Sequence, residues 1–133
     1  MTVLTQQHET ILVVDDEPSI CLLVKTLLEL EGYAVLTAGD AETASKIYEE
    51  HSAEVGLLLT DMRMPDTNGA ELADRLLRWK PQMRVLFMSG SDAATRGHGC
   101  IAKPFTRAQL ISGVGRALER RPPAKMLVAA HAA

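Results

Sequence analysis

Three short apolar runs constrain the fold of this chain most: Ile11-Leu12-Val13-Val14, Val55-Gly56-Leu57-Leu58-Leu59 and Val85-Leu86-Phe87-Met88. None alternates with polar residues. A strand with one wet face alternates, whereas a continuous run marks a strand buried on both faces. Such strands need helices above and below, and the intervening segments have helical spacing. Residues 18–31 carry Ile20, Leu23, Val24, Leu27 and Leu28, opening at Pro18 and stopping at Gly32. Residues 41–50 carry Ala41, Ala44, Ile47 and Tyr48 behind a cap at Asp40. Residues 70–79 carry Leu72, Ala73, Leu76 and Leu77 ahead of Pro81. Residues 107–120 carry Leu110, Ile111, Val114 and Leu118 behind Thr106 and Gln109, a capping-box pair. Two weaker strands, Ala34-Val35-Leu36 and Cys100-Ile101-Ala102, complete an alternation of five strands with helices. That order predicts an α/β fold with a parallel sheet covered on both faces.

The bulk properties agree with one ordinary globular unit. The chain has 133 residues, 47% hydrophobic and 23% charged, and suits a single domain over residues 10–120 followed by a C-terminal tail, 121–133, that opens with Pro122-Pro123. A formal net charge of −3 gives no general attraction to nucleic acid. No apolar run is long enough to span a membrane, and Met1 to Thr10 lack a signal-peptide core, so a cytoplasmic protein is expected. Cys21 and Cys100 both fall in apolar segments and read as reduced packing residues. The four histidines lack metal-ligand spacing.

The polar residues at the strand ends carry the functional argument. Strand one runs into Asp15-Asp16, strand three into Asp61, strand four into Ser89 and strand five into Lys103. Each alone has a plain structural explanation: a helix cap for the acid pair, a turn for Asp61 and for Ser89-Gly90, a solvated surface lysine for Lys103. Together they lie on one edge of one sheet. In a doubly wound five-stranded parallel sheet of order 2-1-3-4-5, ligands bind beyond the carboxyl ends of the strands where the order reverses, between strands one and three. The acids stand at those two ends. Three clustered carboxylates repel one another, by roughly 4 kcal/mol per pair at about 4 Å and an effective dielectric near 20. Lys103 offers one compensating charge. A hard divalent cation, most simply Mg²⁺, offers two more and keeps coordination sites free for a phosphate oxygen. Asp61 can then act as a carboxylate nucleophile toward phosphorus, with Mg²⁺, Ser89 and Lys103 each holding one phosphoryl oxygen.

The motifs Val13-Val14-Asp15-Asp16-Glu17-Pro18, Leu59-Thr60-Asp61-Met62-Arg63-Met64-Pro65-Asp66-Thr67-Asn68-Gly69, Met88-Ser89-Gly90 and Lys103-Pro104-Phe105 resemble the receiver-domain family of two-component signalling, over about Thr10 to Arg120. The resemblance implies a flavodoxin-like fold. It also implies that Asp61 is the phosphoacceptor and that the donor is a phosphohistidine on a sensor histidine kinase or histidine phosphotransfer protein. Mg²⁺ would lie on Asp16, Asp61 and the backbone carbonyl of Arg63, with Asp15 acting mostly through water. Ser89 and Lys103 would contact the phosphoryl group, and Lys103-Pro104 would be a cis peptide. Two features depart from the family. The aromatic residue usual three positions before the lysine is Cys100, and only thirteen residues separate Ser89 from Lys103. Residues 91–99 hold about two helical turns at 3.6 residues per turn, so a short or missing fourth helix is expected.

The expected role is a phosphorylation-switched binding module, stand-alone or derived from a hybrid histidine kinase, that alters affinity for a downstream protein target. It catalyses only its own phosphorylation and dephosphorylation; its oligomeric state is open. A Mg²⁺-dependent phosphohydrolase of the haloacid-dehalogenase type needs an acid two residues after the nucleophile, where this chain has Arg63, which cannot donate a proton there. A flavodoxin-type cofactor carrier needs a phosphate-cradling loop after strand one, where Asp15-Asp16-Glu17 would repel the phosphate.

Overall fold

A computed structural model describes residues 9–89 and 97–119. The elements run β1 (Thr10–Val14), α1 (Pro18–Leu30), β2 (Ala34–Ala38), α2 (Ala41–His51), β3 (Val55–Asp61), α3 (Gly69–Trp79), β4 (Arg84–Ser89), β5 (Gly99–Ala102) and α4 (Arg107–Glu119). All strand pairs are parallel and the order is β2-β1-β3-β4-β5, as the alternation of apolar runs and helical segments predicts. The expected short or missing helix between β4 and β5 falls on residues 91–99, of which 91–96 lie outside the described residues, as does the tail from 121 to 133.

Successive side chains of a strand point to opposite faces, so each continuous run feeds two cores. Leu12, Val14, Leu58, Val85 and Phe87 pack with Ala44, Tyr48, Leu72 and Leu76 of α2 and α3. Ile11, Val13, Leu57, Leu59, Leu86 and Met88 pack with Val24 and Leu28 of α1 and with Leu110 and Val114 of α4. A fully buried Leu, Ile or Val contributes roughly 1.5–3 kcal/mol through burial. Both faces of the central strands are therefore committed to holding helices in place.

Local chemistry sets the helix ends. Pro18 opens α1 without a side-chain cap bond. At its other end Gly32 has φ 97°, a left-handed conformation open to glycine at no cost. The Gly32 amide donates to the Glu29 carbonyl and the Tyr33 amide to that of Leu28 (3.0 and 3.1 Å), the paired bonds of a Schellman stop. Asp40 caps α2 by accepting from Thr43 N, and Asn68 caps α3 by accepting from Glu71 N. The box before α4 is reciprocal: Gln109 N donates to Thr106 Oγ1 at 3.1 Å and Thr106 N to Gln109 Oε1 at 2.8 Å.

The two cysteines differ from the sequence expectation in one respect. Cys21 is buried, but Cys100 is exposed and is not a core residue. β5 is an edge strand on which Ile101 alone faces the core, so its neighbours Cys100 and Ala102 are left outside. Among the described residues no helix is long and apolar enough to cross a membrane.

The Tyr48 hydroxyl is buried and has no hydrogen-bond partner among the described residues, while its ring stacks on Trp79 at 5.7 Å. An unpaired buried hydroxyl costs free energy that a phenyl ring does not. Tyr48→Phe is therefore expected to hold or raise stability, by up to about 1 kcal/mol in a urea melt. A clear loss of stability would show that the hydroxyl has a partner in solution.

Candidate phosphoryl and metal site

Strand register brings the singled-out residues to one edge. Val14 pairs with Thr60, Asp61 with Met88, and Ser89 with Ala102. Asp15, Asp61, Ser89 and Lys103 thus stand at or just beyond the carboxyl ends of β1, β3, β4 and β5. Asp15, Asp16 and Asp61 each offer a carboxylate oxygen, and these three atoms lie within 4.8 Å of one another. Asp15 is buried, Asp61 half-buried and Asp16 exposed, so the cluster grades from the protein interior to solvent.

Lys103 closes the cluster. Its Nζ donates to Asp15 Oδ2 at 2.7 Å and to Asp61 Oδ2 at 3.2 Å. Burial pulls its pKa down, but the hydrogen bond and charge of Asp15, then those of Asp61, outweigh burial and raise it above the usual lysine value. A raised lysine contributes its stabilisation in full below the unfolded value near about 10.4 and loses it as pH rises through the folded value. Lys103 is therefore a fixed cation through the neutral range. The Lys103 amide also donates to the Ser89 carbonyl at 2.8 Å, and the Lys103–Pro104 peptide is cis.

Backbone contacts hold the other members. Asp15 Oδ1 accepts from Glu17 N at 2.9 Å, so Asp15 braces the turn into α1 and does not act as a side-chain cap on the helix. Met62 N donates to the Met88 carbonyl at 3.0 Å and fixes the chain just after Asp61. Arg63 N donates to Asp61 Oδ1 at 3.3 Å, while the Arg63 side chain is exposed. Ser89 is buried at the end of β4. Cys21 lies beneath the acids with Sγ 3.4 Å from the Asp15 carbonyl; burial, then the charge of Asp15, raises its pKa, so the thiol stays protonated. A cleft of about 390 Å³ lined by Asp15, Asp16, Leu22, Lys25, Thr37 and Thr43 opens beside the cluster.

The sequence singled out Asp15, Asp16, Asp61 and Lys103, and the fold brings all four together. Ser89 joins them through its strand and its carbonyl. Two contributors escaped the sequence reading. Gly69, the first residue of α3, packs so tightly that a Cβ there would clash with the Asp61 carbonyl oxygen and press on Thr60 Cγ2 and Met62 Cα. Asp66, in the loop after β3, accepts from two amides at the start of α2. Both belong to the motif around Asp61, but only the folded backbone shows what they touch.

The three carboxylates repel one another by about 3.5 kcal/mol per pair at this spacing and an effective dielectric near 20. One lysine leaves a formal excess of two negative charges. An all-oxygen donor set with that excess matches a hard divalent cation such as Mg²⁺.

The family described as "Response regulator receiver domain" matches residues 11–114. The chain is 34% identical over 128 residues to the DNA-binding transcriptional regulator NtrC of Azospirillum brasilense, covering 90% of this chain and 26% of that protein. It spans 13% to 51% of the length of eight curated relatives that it matches. Among solved structures, a response regulator receiver domain protein from Clostridium thermocellum superposes with TM-score 0.77 at 30% identity, covering 90% of this chain and 98% of that one. TrrA of Thermotoga maritima, solved in complex with Mg²⁺-BeF, superposes with TM-score 0.72 at 29% identity, covering 82% and 98%.

Gly69→Ala is expected to lower stability by roughly 1–3 kcal/mol, the usual cost of overpacking, in a denaturant melt. Stability equal to wild type would show that α3 can move away from the Asp61 carbonyl freely.

Proposed function

Because the chain belongs to the response regulator receiver domain family of two-component systems, we propose that Asp61 accepts a phosphoryl group from a phosphohistidine, on a sensor histidine kinase or histidine phosphotransfer protein, within a unit spanning residues 10–120. The observation that carries this reading is the Lys103 ammonium bridging Asp15 and Asp61 inside the acid cluster. In phosphoryl transfer the protein mainly positions groups and neutralises oxygens. A carboxylate oxygen of Asp61 forms the new O–P bond while the N–P bond of the donor breaks and its electron pair stays on the imidazole. Lys103 lies close enough to Asp61 to move from the carboxylate to the incoming phosphoryl oxygen. The Ser89 hydroxyl, on the neighbouring strand, is assigned to a second oxygen.

The donor set fits Mg²⁺, which Asp16, Asp61 and the Arg63 backbone carbonyl would hold, with Asp15 contributing mostly through water; the Mg²⁺-BeF complex of the structurally similar TrrA supports the choice of ion. When bound, the ion supplies positive charge against the acids and the transferring oxygens. The product is an acyl phosphate, which water removes, so the protein's catalysis is confined to its own phosphorylation and dephosphorylation. The output is a changed affinity for a downstream protein target, read by a change of contacts around the modified edge.

Asp61→Asn is expected to abolish labelling by acetyl phosphate or a phosphohistidine donor, and EDTA to block labelling of the unmodified chain. Persistent label in the variant would remove Asp61 as acceptor; unchanged labelling under EDTA would remove the metal. Lys103→Ala is expected to slow labelling and weaken the switch in partner affinity. Normal values of both would reduce Lys103 to a structural cation.

A further inference from the structure

The first turn of α2 is held partly from outside its own element. A helix leaves the amides of its first turn without intrahelical partners; in α2 those of Ala41, Glu42 and Thr43 are met by side chains, and the first intrahelical bond comes from Ala44. Thr43 N donates to Asp40 Oδ1 at 2.7 Å and Ala44 N to the Asp40 carbonyl at 3.0 Å. Ala41 N and Glu42 N donate to Asp66, one to each carboxylate oxygen, both at 3.3 Å. Asp66 belongs to the loop between β3 and α3, the loop that leaves Asp61.

Other bonds fix the two ends of that loop. Met62 N donates to Met88 O, Gly69 N to Met62 O, and Arg63 pairs with Asn68 in an isolated bridge. These ties run within the loop or to β4. Asp66 ties the loop's outer limb to a different element, and the positive end of the α2 dipole favours a carboxylate there over a neutral side chain. We propose that Asp66 is a positioning residue for the acid cluster: by anchoring the β3–α3 loop to the N-terminus of α2, it holds Asp61 and the Arg63 main chain in the arrangement that receives a divalent cation. This rests on the metal reading of the cluster given above.

The bonds are long and Asp66 is exposed, so their effect on overall stability is small. Ion affinity is the more sensitive quantity, because Mg²⁺ tolerates little departure from its preferred geometry. Coupling is reciprocal: an ion that favours the ordered loop also tightens the grip of Asp66 on Ala41 and Glu42.

The test is calorimetric titration of the full chain with MgCl₂, on wild type, Asp66→Ala, Asp66→Asn and Asp40→Ala, each also followed by a thermal melt. Asp66→Ala is expected to weaken Mg²⁺ binding about tenfold, as loss of a residue supporting metal ligands does. Asp66→Asn, which keeps one acceptor oxygen, falls between. Asp40→Ala removes the cap from the same helix without touching the loop; it lowers the melting temperature and leaves Mg²⁺ affinity unchanged. In wild type, Mg²⁺ slows hydrogen exchange at Ala41 and Glu42, and in Asp66→Ala it does not. Wild-type affinity in Asp66→Ala, or an equal loss in Asp40→Ala, overturns the proposal and leaves Asp66 as a helix cap alone. A folded wild type that binds no Mg²⁺ overturns the metal reading itself and the positioning role with it.

Discussion

The Lys103 ammonium is the contact on which the functional edge depends. Three carboxylates converge where β1 and β3 end, and no fold gathers like charges without compensation. The compensating charge arrives from the far side of the sheet, past β4, on the chain that leaves β5. One side chain thereby links three strand ends, and its raised pKa records the strength of the acids around it. A single lysine leaves the cluster short of neutral. That residual negative charge matches the charge and oxygen preference of a hard divalent cation.

The remainder of the molecule serves that convergence. The two hydrophobic layers fix strand register, and register sets which residues emerge at the edge. Gly69 lets α3 begin directly against the Asp61 carbonyl. The Met62 and Lys103 amides tie the loop after Asp61 and the lysine loop to β4, through the carbonyls of Met88 and Ser89. These are backbone contacts, insensitive to side-chain fluctuation, and they fix the positions from which the charged side chains reach inward.

Much of this was legible in the sequence because it rests on local rules. The apolar runs located three strands, and the caps at Asp40 and Thr106 located two helix starts to the residue. The four charged residues of the candidate site were legible because strand ends are legible and the fold class says where strand ends converge. Cys100 was misread as a packing residue: a short apolar segment does not reveal that its strand lies at the sheet edge, where one face goes uncovered. Asp66 stood in the sequence only as one member of the motif after Asp61, because its partners Ala41 and Glu42 are distant in sequence and are backbone amides, which carry no residue-specific signal.

The sequence by itself determined the strand and helix order, the class of sheet, the helix caps at Asp40 and Thr106 and the identity of the charges at the strand ends. All follow from periodicity, turn chemistry and side-chain type over a few residues. Tertiary structure alone decided that the Lys103 ammonium bridges Asp15 and Asp61, that α3 starts without room for a Cβ at position 69, and that the loop after Asp61 leans on α2. Each of those is a distance between segments far apart along the chain, and distances of that kind exist only once the helices have packed on both faces of the sheet.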